Sequence, residues 1–194
     1  MRLFLLARHG ESTLNVERRV NGDPNVQVDL TERGREAARQ LGEQIAHVPI
    51  DVCVRTQFVR TEQTTSLVLE RRDVAIVVEP LLNDIDIGDL EGQLIDEYRN
   101  WKRAHTRADR FPGGESLDEA ALRYARAYRN LLAQEASTIL VICHEIAVRY
   151  AVNAAGGSRD LDGPLHDVRN ATPYLFDEHA LATAAERVEE LVRG

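Results

Sequence analysis

Four short, mostly apolar runs stand out against an otherwise mixed sequence. They are Leu3–Ala7, Asp51–Val54, Val74–Val78 and Thr138–Cys143. Short apolar runs without alternating polar positions are typical of strands in a parallel sheet. The β-branched residues of the third run also favour a strand. The pattern therefore predicts four strands, and Tyr174–Phe176 is a candidate for a fifth.

Between these runs, apolar residues recur at helical spacing. The predicted helices are Asp29–His47, Phe58–Leu69, Leu94–Arg107, a helix after the capping-box sequence Ser116–Glu119, Ile146–Ala155 and Leu181–Val192. No repeat, low-complexity stretch or linker interrupts the chain. Strands that alternate with helices indicate an α/β fold with a mainly parallel sheet. We expect three layers, α/β/α, in a single domain that spans residues 1–194.

Two histidines lie where predicted strands end. His9 follows the first strand and His144 follows the fourth. In open α/β sheets, ligands bind outside the carboxyl ends of the strands. The sequence therefore predicts a binding site that contains both imidazoles.

The composition narrows the class of ligand. The 194 residues carry a formal net charge of −8 and include no tract of five basic residues, so neither nucleic acid nor an anionic membrane is the expected partner. Lys102 is the one lysine among 24 basic residues. Anion recognition therefore depends on arginine, whose planar guanidinium matches phosphate with two parallel hydrogen bonds.

Cysteine usage and the N-terminal pattern both favour the cytoplasm. Cys53 and Cys143 lie in apolar, strand-like runs, and two cysteines are too few for a disulfide scaffold. The run Leu3–Ala7 is shorter than the roughly 7–15 apolar residues of a secretory signal. No stretch approaches the roughly 20 residues of a membrane span. We expect a cytoplasmic protein without a membrane partner.

His9 has the surroundings of a reactive histidine. It follows Arg8 and precedes Gly10 at a strand exit. Glycine allows the backbone to approach a ligand closely. A neutral imidazole nitrogen is a competent nucleophile towards phosphorus when a hydrogen bond fixes the other ring nitrogen.

Seven motifs, in family order, resemble those of the histidine phosphatase superfamily, in its phosphoglycerate mutase-like branch. They extend from residue 3 to about residue 172 and comprise ARHGES followed by Asn15, VNG (Val20–Gly22), DLTERG (Asp29–Gly34), RTQFVRTEQT (Arg55–Thr64), LNDIDIGDLEG (Leu82–Gly92), FPGGES (Phe111–Ser116) and VICHE (Val141–Glu145). A lone RHG would be weak evidence, whereas seven markers in order are specific. The resemblance implies the phosphoglycerate mutase-like α/β/α fold.

The resemblance also implies a role for each motif residue. His9 would attack the phosphorus atom and form a phosphohistidine. The residues that bind the phosphoryl oxygens would be Arg8, Asn15, Arg60 and His144. Further candidates for substrate contacts are Ser12, Asn21 and Gly22. Such catalysis relies on positioning and fixed positive charge, so no cofactor and no metal are expected. The HEIAV sequence also lacks the second histidine of an H-E-x-x-H zinc motif.

Two carboxyl groups compete for the role of general acid. The mutase-like branch usually has a glutamate where this chain has Asp84, whose side chain is one methylene shorter. Glu145, directly after His144, is the rival, because another branch of the superfamily keeps its acid there. We expect Asp84 to act with His9 and His144. The neighbouring carboxylate of Glu91 is expected to be solvated, and Thr56 is expected to support its loop.

The resemblance implies a phosphatase that acts on a small phosphorylated metabolite, of a broad-specificity or sugar-phosphate type. The alternative is a mutase primed by a bisphosphoglycerate. Mutases of the family resemble longer chains with an inserted segment and a tail over the pocket, whereas only a short connection joins Gly92 to Phe111 here. A non-catalytic phospho-ligand-binding module is the third hypothesis, and the retained pocket residues argue against it.

The substrate itself is left open by the sequence. Its specificity would depend on side chains between Gly92 and Gly114 and around Asn21, whose chemistry is mixed. Basic residues in that segment suit a second anionic group, but an exposed charged helix would look the same. The oligomeric state is also open, with a homodimer as the candidate assembly.

Overall fold

The computed structural model describes residues 2–194. Its strands are β1 (Leu3–Arg8), β2 (Val52–Arg55), β3 (Ala75–Val78), β4 (Thr138–Cys143) and β5 (Pro173–Asp177). Its helices are α1 (Thr13–Val16), α2 (Glu32–Gln44), α3 (Val59–Val68), α4 (Ile95–Ala104), α5 (Leu117–Ala133), α6 (Glu145–Ala155) and α7 (Glu178–Arg193). Two short 3-10 turns, Pro80–Leu82 and Gly88–Leu90, lie between β3 and α4.

All five strands form one sheet in the order β3-β2-β4-β1-β5. The first four run parallel, and β5 pairs antiparallel with β1 at one edge. The predicted α/β fold with a mainly parallel sheet is therefore confirmed. Because β1, β2 and β4 are neighbours and parallel, their carboxyl ends meet at one edge of the sheet.

Alternate side chains of β1 enter two separate apolar cores. Phe4 and Leu6 pack with buried residues of α5, α6 and α7. Leu5 and Ala7 point to the other face, where they pack with residues of α2 and α3. This alternation is the two-residue period of a strand, and it places a helical layer on each face. The three-layer prediction is correct.

Most element boundaries agree with the pattern of the sequence, and the capping box is confirmed. Ser116 Oγ accepts from the Glu119 amide at 3.0 Å, and the Glu119 carboxylate accepts from the Ser116 amide at 2.8 Å. The short helix α1 was not predicted. Ser12 and Asn15 form a reciprocal pair of hydrogen bonds of the same kind at its start. A helix of four residues, none of them buried, has no apolar spacing from which it could be predicted.

The strand β3 is correctly predicted, but it lies at the exposed edge of the sheet. Ile76, Val77 and Val78 are 50%, 42% and 43% exposed. A run of β-branched residues shows strand propensity, not position within the sheet, and the exposure therefore could not be predicted. Within residues 2–194, no helix combines the length and apolar character that crossing a bilayer requires.

Candidate active site

Two neighbouring parallel strands, β1 and β4, bring the two predicted histidines to one place. Arg8 ends β1, and the His9 amide donates to the carbonyl of Cys143, the last residue of β4, at 3.0 Å. The centroids of the His9 and His144 rings are 5.4 Å apart. Both imidazoles therefore lie at the carboxyl edge of the sheet, as the sequence predicts.

The His9 ring is held in one tautomer. Its Nδ1 lies 2.7 Å from the Gly10 carbonyl oxygen, and because a carbonyl only accepts, Nδ1 carries the hydrogen. The Nε2 lone pair accepts from Arg60 Nε at 3.1 Å. Burial lowers the pKa of His9 well below its usual value, and the charges of Arg60 and Arg8 lower it further. The ring is therefore a neutral imidazole whose Nε2 is unprotonated.

Gly10 keeps this loop close to helix α2. A Cβ atom at position 10 would lie 2.5 Å from the Gly34 carbonyl oxygen, so a larger residue would push the loop away. The Gly10 amide donates to Thr64 Oγ1 at 2.9 Å, and Asn170 Nδ2 donates to the His9 carbonyl at 2.8 Å. These contacts fix the backbone that orients the imidazole.

The Arg60 guanidinium occupies the centre of the site. Its Nη2 lies 3.1 Å from Asp84 Oδ2 and 3.2 Å from His144 Nδ1. Its Nη1 donates to Asn21 Oδ1. The guanidinium carbon lies 4.2 Å from the centroid of the Phe58 ring. Arg60 thus joins four segments of the chain around one positive charge.

Two threonine hydroxyls determine the tautomer of His144. Thr61 Oγ1 donates to the Phe58 carbonyl at 2.7 Å, so the 2.9 Å contact between the Thr56 and Thr61 hydroxyls is donated by Thr56. Thr56 Oγ1 then accepts from His144 Nε2 at 2.9 Å. The hydrogen of the imidazole is therefore on Nε2, and Nδ1 presents its lone pair to Arg60. The sequence predicts only that Thr56 supports its loop, whereas the structure shows that its hydroxyl also orients the His144 imidazole.

His144 lies deeper than the resemblance implies. It has no exposed surface and does not line the cavity. Phe58 packs edge-on against the ring at a centroid distance of 4.6 Å, and Arg60 and Asp84 cover Nδ1. Burial lowers the pKa of His144 well below its usual value, with further lowering by the Arg60 charge. Direct contact of His144 with a phosphoryl oxygen stays a prediction, since it requires the Arg60 side chain to shift.

Asp84 reaches the centre of the site despite its short side chain. Its Oδ2 atom lies 3.1 Å from Arg60 Nη2 and 3.3 Å from His144 Nδ1. Burial raises the pKa of Asp84, and the Arg60 charge opposes this only in part. The carboxyl group lines the cavity. It therefore retains a proton to higher pH than an exposed aspartate does.

The rival carboxylate, Glu145, is engaged by two arginines. Its Oε2 atom lies 2.8 Å from Arg8 Nη1, and its Oε1 atom lies 3.4 Å from Arg149 Nη1. Arg8 Nη1 also donates to the Val168 carbonyl at 3.0 Å, while Arg8 Nε is buried with no hydrogen-bond partner. Glu145 is thus an ion-pair partner of Arg8. Of the two acid candidates, it is therefore less suited than Asp84 to donate a proton.

Ser12 and Asn15 both line the cavity. Ser12 Oγ accepts from the Asn15 amide at 3.3 Å, and Asn15 Oδ1 accepts from the Ser12 amide at 3.1 Å. Because Oδ1 of Asn15 is occupied by the capping contact, its side-chain NH2 group is the part left to donate. Their contacts with a phosphoryl group stay predictions.

Glu91 is the supporting residue that the sequence did not reveal. Its carboxylate accepts from Asn21 Nδ2 at 2.7 Å and from the amides of Gly22 and Asp23 at 2.7 Å and 3.1 Å. The expectation of a solvated carboxylate is therefore wrong. Gly22 does not line the cavity, and its amide is taken by Glu91, so it supports the site instead of facing substrate. Asn21 lines the cavity and orients Arg60.

These residues surround a cavity of about 590 Å³. Arg8, His9, Arg60 and Asp84 line it together, and further positive side chains come from α4 and α6. Its apolar lining includes Leu14, Val20, Val28, Ile85, Ile87 and Ile95. Within residues 2–194, no three His, Cys, Asp or Glu side chains are grouped closely enough to share a metal ion. The arrangement can bind a phosphoryl group and attack it.

This chain belongs to the histidine phosphatase superfamily, branch 1, whose family model matches residues 4–188. The resemblance found in the motifs is therefore confirmed. The proteins similar to this chain carry the names of both mutases and phosphatases.

Curated relatives carry mutase names. A probable phosphoglycerate mutase GpmB of Enterobacter sp. (strain 638) is 32% identical over 78% of this chain and 74% of that protein. A 2,3-bisphosphoglycerate-dependent phosphoglycerate mutase of Methylobacterium radiotolerans is 32% identical over 96% of this chain and 94% of that protein. The second match extends over nearly the full length of both chains. Chain length therefore does not separate a phosphatase from a mutase here, and that part of the sequence argument is wrong.

Some of the solved structures with this fold carry phosphatase names. Bacillus stearothermophilus YhfR superposes with a TM-score of 0.79 at 25% identity, over 91% of each chain. A putative alpha-ribazole-5'-P phosphatase from Escherichia coli gives a TM-score of 0.78 at 24% identity, over 90% of this chain and 89% of that one. At the latter identity the likeness shows the fold alone.

The hydroxyl pair beneath His144 leads to a stability prediction. Thr56→Val should lower the free energy of unfolding by about 1–3 kcal/mol, because it leaves the buried Nε2–H of His144 without an acceptor. Thr56→Ser, which keeps the hydroxyl, should lose much less. Urea unfolding of the three proteins measures both changes. Equal midpoints for the valine and serine variants would contradict the assigned hydrogen-bond order.

Proposed function

We propose that this protein hydrolyses a phosphomonoester of a small metabolite through a phosphohistidine on His9. The observation that carries the proposal is the fixed tautomer of His9, whose unprotonated Nε2 accepts from Arg60 in a cavity that His9, Arg8 and Arg60 line. A neutral imidazole with its other nitrogen held by a carbonyl is the form that attacks phosphorus. The convergence of His9, Arg8 and Arg60 also argues against a non-catalytic binding module.

In the first step, His9 Nε2 attacks the phosphorus and the bond to the leaving oxygen breaks. Arg60 Nε, which donates to Nε2 before substrate binds, then donates to a phosphoryl oxygen instead. Arg8 and Arg60 stabilise the charge on the equatorial oxygens. Asp84 gives its proton to the leaving oxygen. The products are an alcohol and phosphohistidine, with Asp84 left as a carboxylate.

In the second step, water attacks the phosphohistidine. Asp84 takes one proton from the water, so it returns to its acid form as the P–N bond breaks. His9 Nε2 recovers its lone pair, and phosphate leaves. One carboxyl group thus serves as acid and then as base.

The position of the C-terminal helix supports hydrolysis over isomerisation. The C-terminal helix α7 packs against α5 and α6, and among the described residues none after His166 lines the cavity. Within residues 2–194, the C-terminal helix therefore does not cover the site. A mutase remains the second candidate, favoured by the end-to-end match with the Methylobacterium protein.

We also propose a cytoplasmic location, which the state of the cysteines supports. Cys53 and Cys143 are free and buried, and burial raises the pKa of each thiol to about 12. A chain that relies on no disulfide suits a reducing compartment. The substrate as the sole small-molecule partner and the homodimer both stay predictions.

Trapping the intermediate tests the proposal. With 32P-labelled phosphomonoester, wild-type protein should acquire acid-labile label, and His9→Ala should acquire none because the nucleophilic nitrogen is gone. Phosphate release from 4-nitrophenyl phosphate, phosphoglycerates and sugar phosphates should occur without a bisphosphoglycerate primer. Primer-dependent isomerisation with little phosphate release would instead identify a mutase.

Asp84→Asn should slow phosphoenzyme formation from alkyl phosphates by about 10²–10⁴-fold, the usual contribution of a positioned acid. Aryl phosphates should slow far less, since a phenolate leaves with little protonation. The comparison requires phosphoenzyme formation rates for both substrate types, with Glu145→Gln as the matched variant. If Glu145→Gln shows the selective effect and Asp84→Asn slows both types equally, the acid is Glu145.

The shifted pKa values predict the pH dependence of phosphoenzyme formation. Because the pKa of His9 is lowered, its neutral form persists below pH 6.5, and saturating 4-nitrophenyl phosphate should react equally fast at pH 7.5 and pH 6. With an alkyl phosphate, the rate should fall as pH rises through the raised pKa of Asp84, where the proton donor is lost. Quenched-flow measurements at saturating substrate give both profiles. An aryl rate that halves near pH 6.5 would contradict the assignment for His9.

A further inference from the structure

One motif of the sequence, FPGGES (Phe111–Ser116), supplies no side chain to the cavity, yet it contacts the loop that carries Asp84. The Glu115 amide donates to the Asp86 carbonyl at 2.9 Å, and the Asp86 amide donates to Glu115 Oε1 at 3.0 Å. A Cβ atom on Gly114 would lie 2.3 Å from the same Asp86 carbonyl oxygen, so glycine permits this close approach. The motif therefore lies directly against the segment that follows Asp84.

The Arg123 side chain, on α5, reaches the same loop and uses all of its N–H groups nearby. Its Nη1 atom donates to the carbonyls of Leu81 and Asn83 at 2.8 Å and 2.9 Å, and its Nη2 atom donates to the Asp84 carbonyl at 3.2 Å. The two remaining N–H groups donate to the Glu115 carboxylate, from Nε at 3.2 Å and from Nη2. A guanidinium has five N–H donors, and all five are thus engaged by the protein itself.

The backbone from Leu81 to Asp84 needs such a partner. The 3-10 turn at its start ends at Leu82, and Asp84 lies outside any helix or strand. Backbone carbonyls that are withdrawn from water require hydrogen bonds from elsewhere, and Arg123 supplies them to three of these four residues. The side chains of Arg123 and Glu115 are only 19% and 16% exposed, so their ion pair is little screened by solvent.

The position of this backbone determines where the Asp84 carboxyl group lies. Its Oδ1 atom accepts from the following amide, that of Ile85, at 3.1 Å, and its Oδ2 atom lies 3.1 Å from Arg60 Nη2. The carboxyl group is thus oriented relative to its own main chain, which Arg123 holds. Aspartate has a single methylene group with which to compensate for a displaced backbone. A shift of the loop would therefore move the acid with it.

Arg123 also contributes charge to the surroundings of Asp84. Burial raises the pKa of Asp84, and the charges of Arg60, Arg8 and Arg123 lower it, with Arg60 the largest of the three. Because Glu115 is paired with Arg123, it offsets part of the Arg123 contribution. The other titratable groups on the surrounding elements are His9, His144, Asp86, Glu91, Tyr98, Tyr124 and Cys143.

We propose that Glu115 and Arg123 are positioning residues for the general acid: they hold the Asp84 loop where its carboxyl group can protonate the leaving oxygen, and their charges set the pH range in which it does so. The proposal rests on the proposed function, since it concerns the acid of that reaction. Neither residue lines the cavity, so both act through Asp84 and not through contact with substrate.

Arg123→Gln tests the positioning role through the leaving group. Phosphoenzyme formation from an alkyl phosphate should slow by about 10- to 100-fold more than formation from 4-nitrophenyl phosphate, because a misplaced acid loses much of its contribution. In an Asp84→Asn background, the same change should leave the alkyl-to-aryl ratio of rates unaltered, because the acid through which Arg123 acts is absent. Equal slowing of both substrates by Arg123→Gln, or a further fall of the ratio in that background, would overturn the proposal.

Arg126→Gln is the matched control. It removes one positive charge from the same helix, at an exposed position that does not line the cavity, and it should retain both the ratio and the pH profile of the wild-type protein. Acid-labile labelling of wild-type protein monitors the proposed function separately, and its absence would remove the phosphatase. Labelling, a selective Asp84→Asn variant and an unselective Arg123→Gln variant would together remove only the positioning role.

The charges predict opposite pH shifts for the two residues. With saturating alkyl phosphate, the rate of phosphoenzyme formation falls as pH rises through the raised pKa of Asp84. Glu115→Gln keeps an oxygen acceptor but removes the negative charge that offsets Arg123. The fall should therefore move to lower pH by about half a unit, which is less than the roughly 1–3 units expected of a charge within about 4–6 Å. Arg123→Gln, which removes the positive charge, should move the fall to higher pH.

Two milder variants keep the proposal testable if Arg123→Gln fails to fold. Arg123→Lys retains the charge but replaces the planar guanidinium with a single ammonium group, so it should lower the alkyl-to-aryl ratio and leave the pH profile nearly in place. Glu115→Gln is close in shape to the wild-type residue. A fall in rate that stays at the wild-type pH in Glu115→Gln, or that moves to higher pH, would overturn the proposal.

Discussion

The Arg60 guanidinium is the interaction on which the site depends. Its side chain is only 4% exposed, and a buried charge is tolerated only when it is paired and hydrogen-bonded. Its acceptors come from four segments: His9 after β1, Asn21 in a loop, Asp84 after β3 and His144 after β4. Holding Arg60 therefore assembles the site before substrate arrives. A phosphoryl group adds acceptors to a charge that is already in place.

Burial, together with the same charge, explains why two histidines in one site stay neutral. Burial and nearby arginines lower the pKa of both His9 and His144. Each ring directs its N–H towards a protein acceptor, the Gly10 carbonyl for one and the Thr56 hydroxyl for the other. Each lone pair then faces Arg60. Burial and arginine thus keep the nucleophile unprotonated, and the arginine charge also offsets that of the phosphoryl group which the nucleophile attacks.

The sequence predicted the strands, the layers and the main pocket residues because these leave local signals. Apolar runs predicted β1 and β4, and the order of the motifs predicted that Arg60 and Asp84 share a site with His9. Other features depend on partners distant in sequence. Glu91 acts through amides about 70 residues away, and nothing in its neighbours shows that. The depth of His144 depends on how Phe58 and Arg60 pack over it. The exposed position of β3 follows from strand order, which strand propensity does not encode.

The reach of Asp84 shows how a loop offsets a shorter side chain. Arg123 donates to the carbonyl oxygens of Leu81, Asn83 and Asp84 at 2.8–3.2 Å, and Glu115 holds the Arg123 guanidinium. On the other side, a Cβ atom on Gly22 would collide with the Ile85 carbonyl, so the two loops are in backbone contact. The backbone around Asp84 is thus held by contacts on both sides. The missing methylene group therefore does not keep this carboxyl from the centre of the site, because its position is set by Arg123 and Gly22 as much as by its own length.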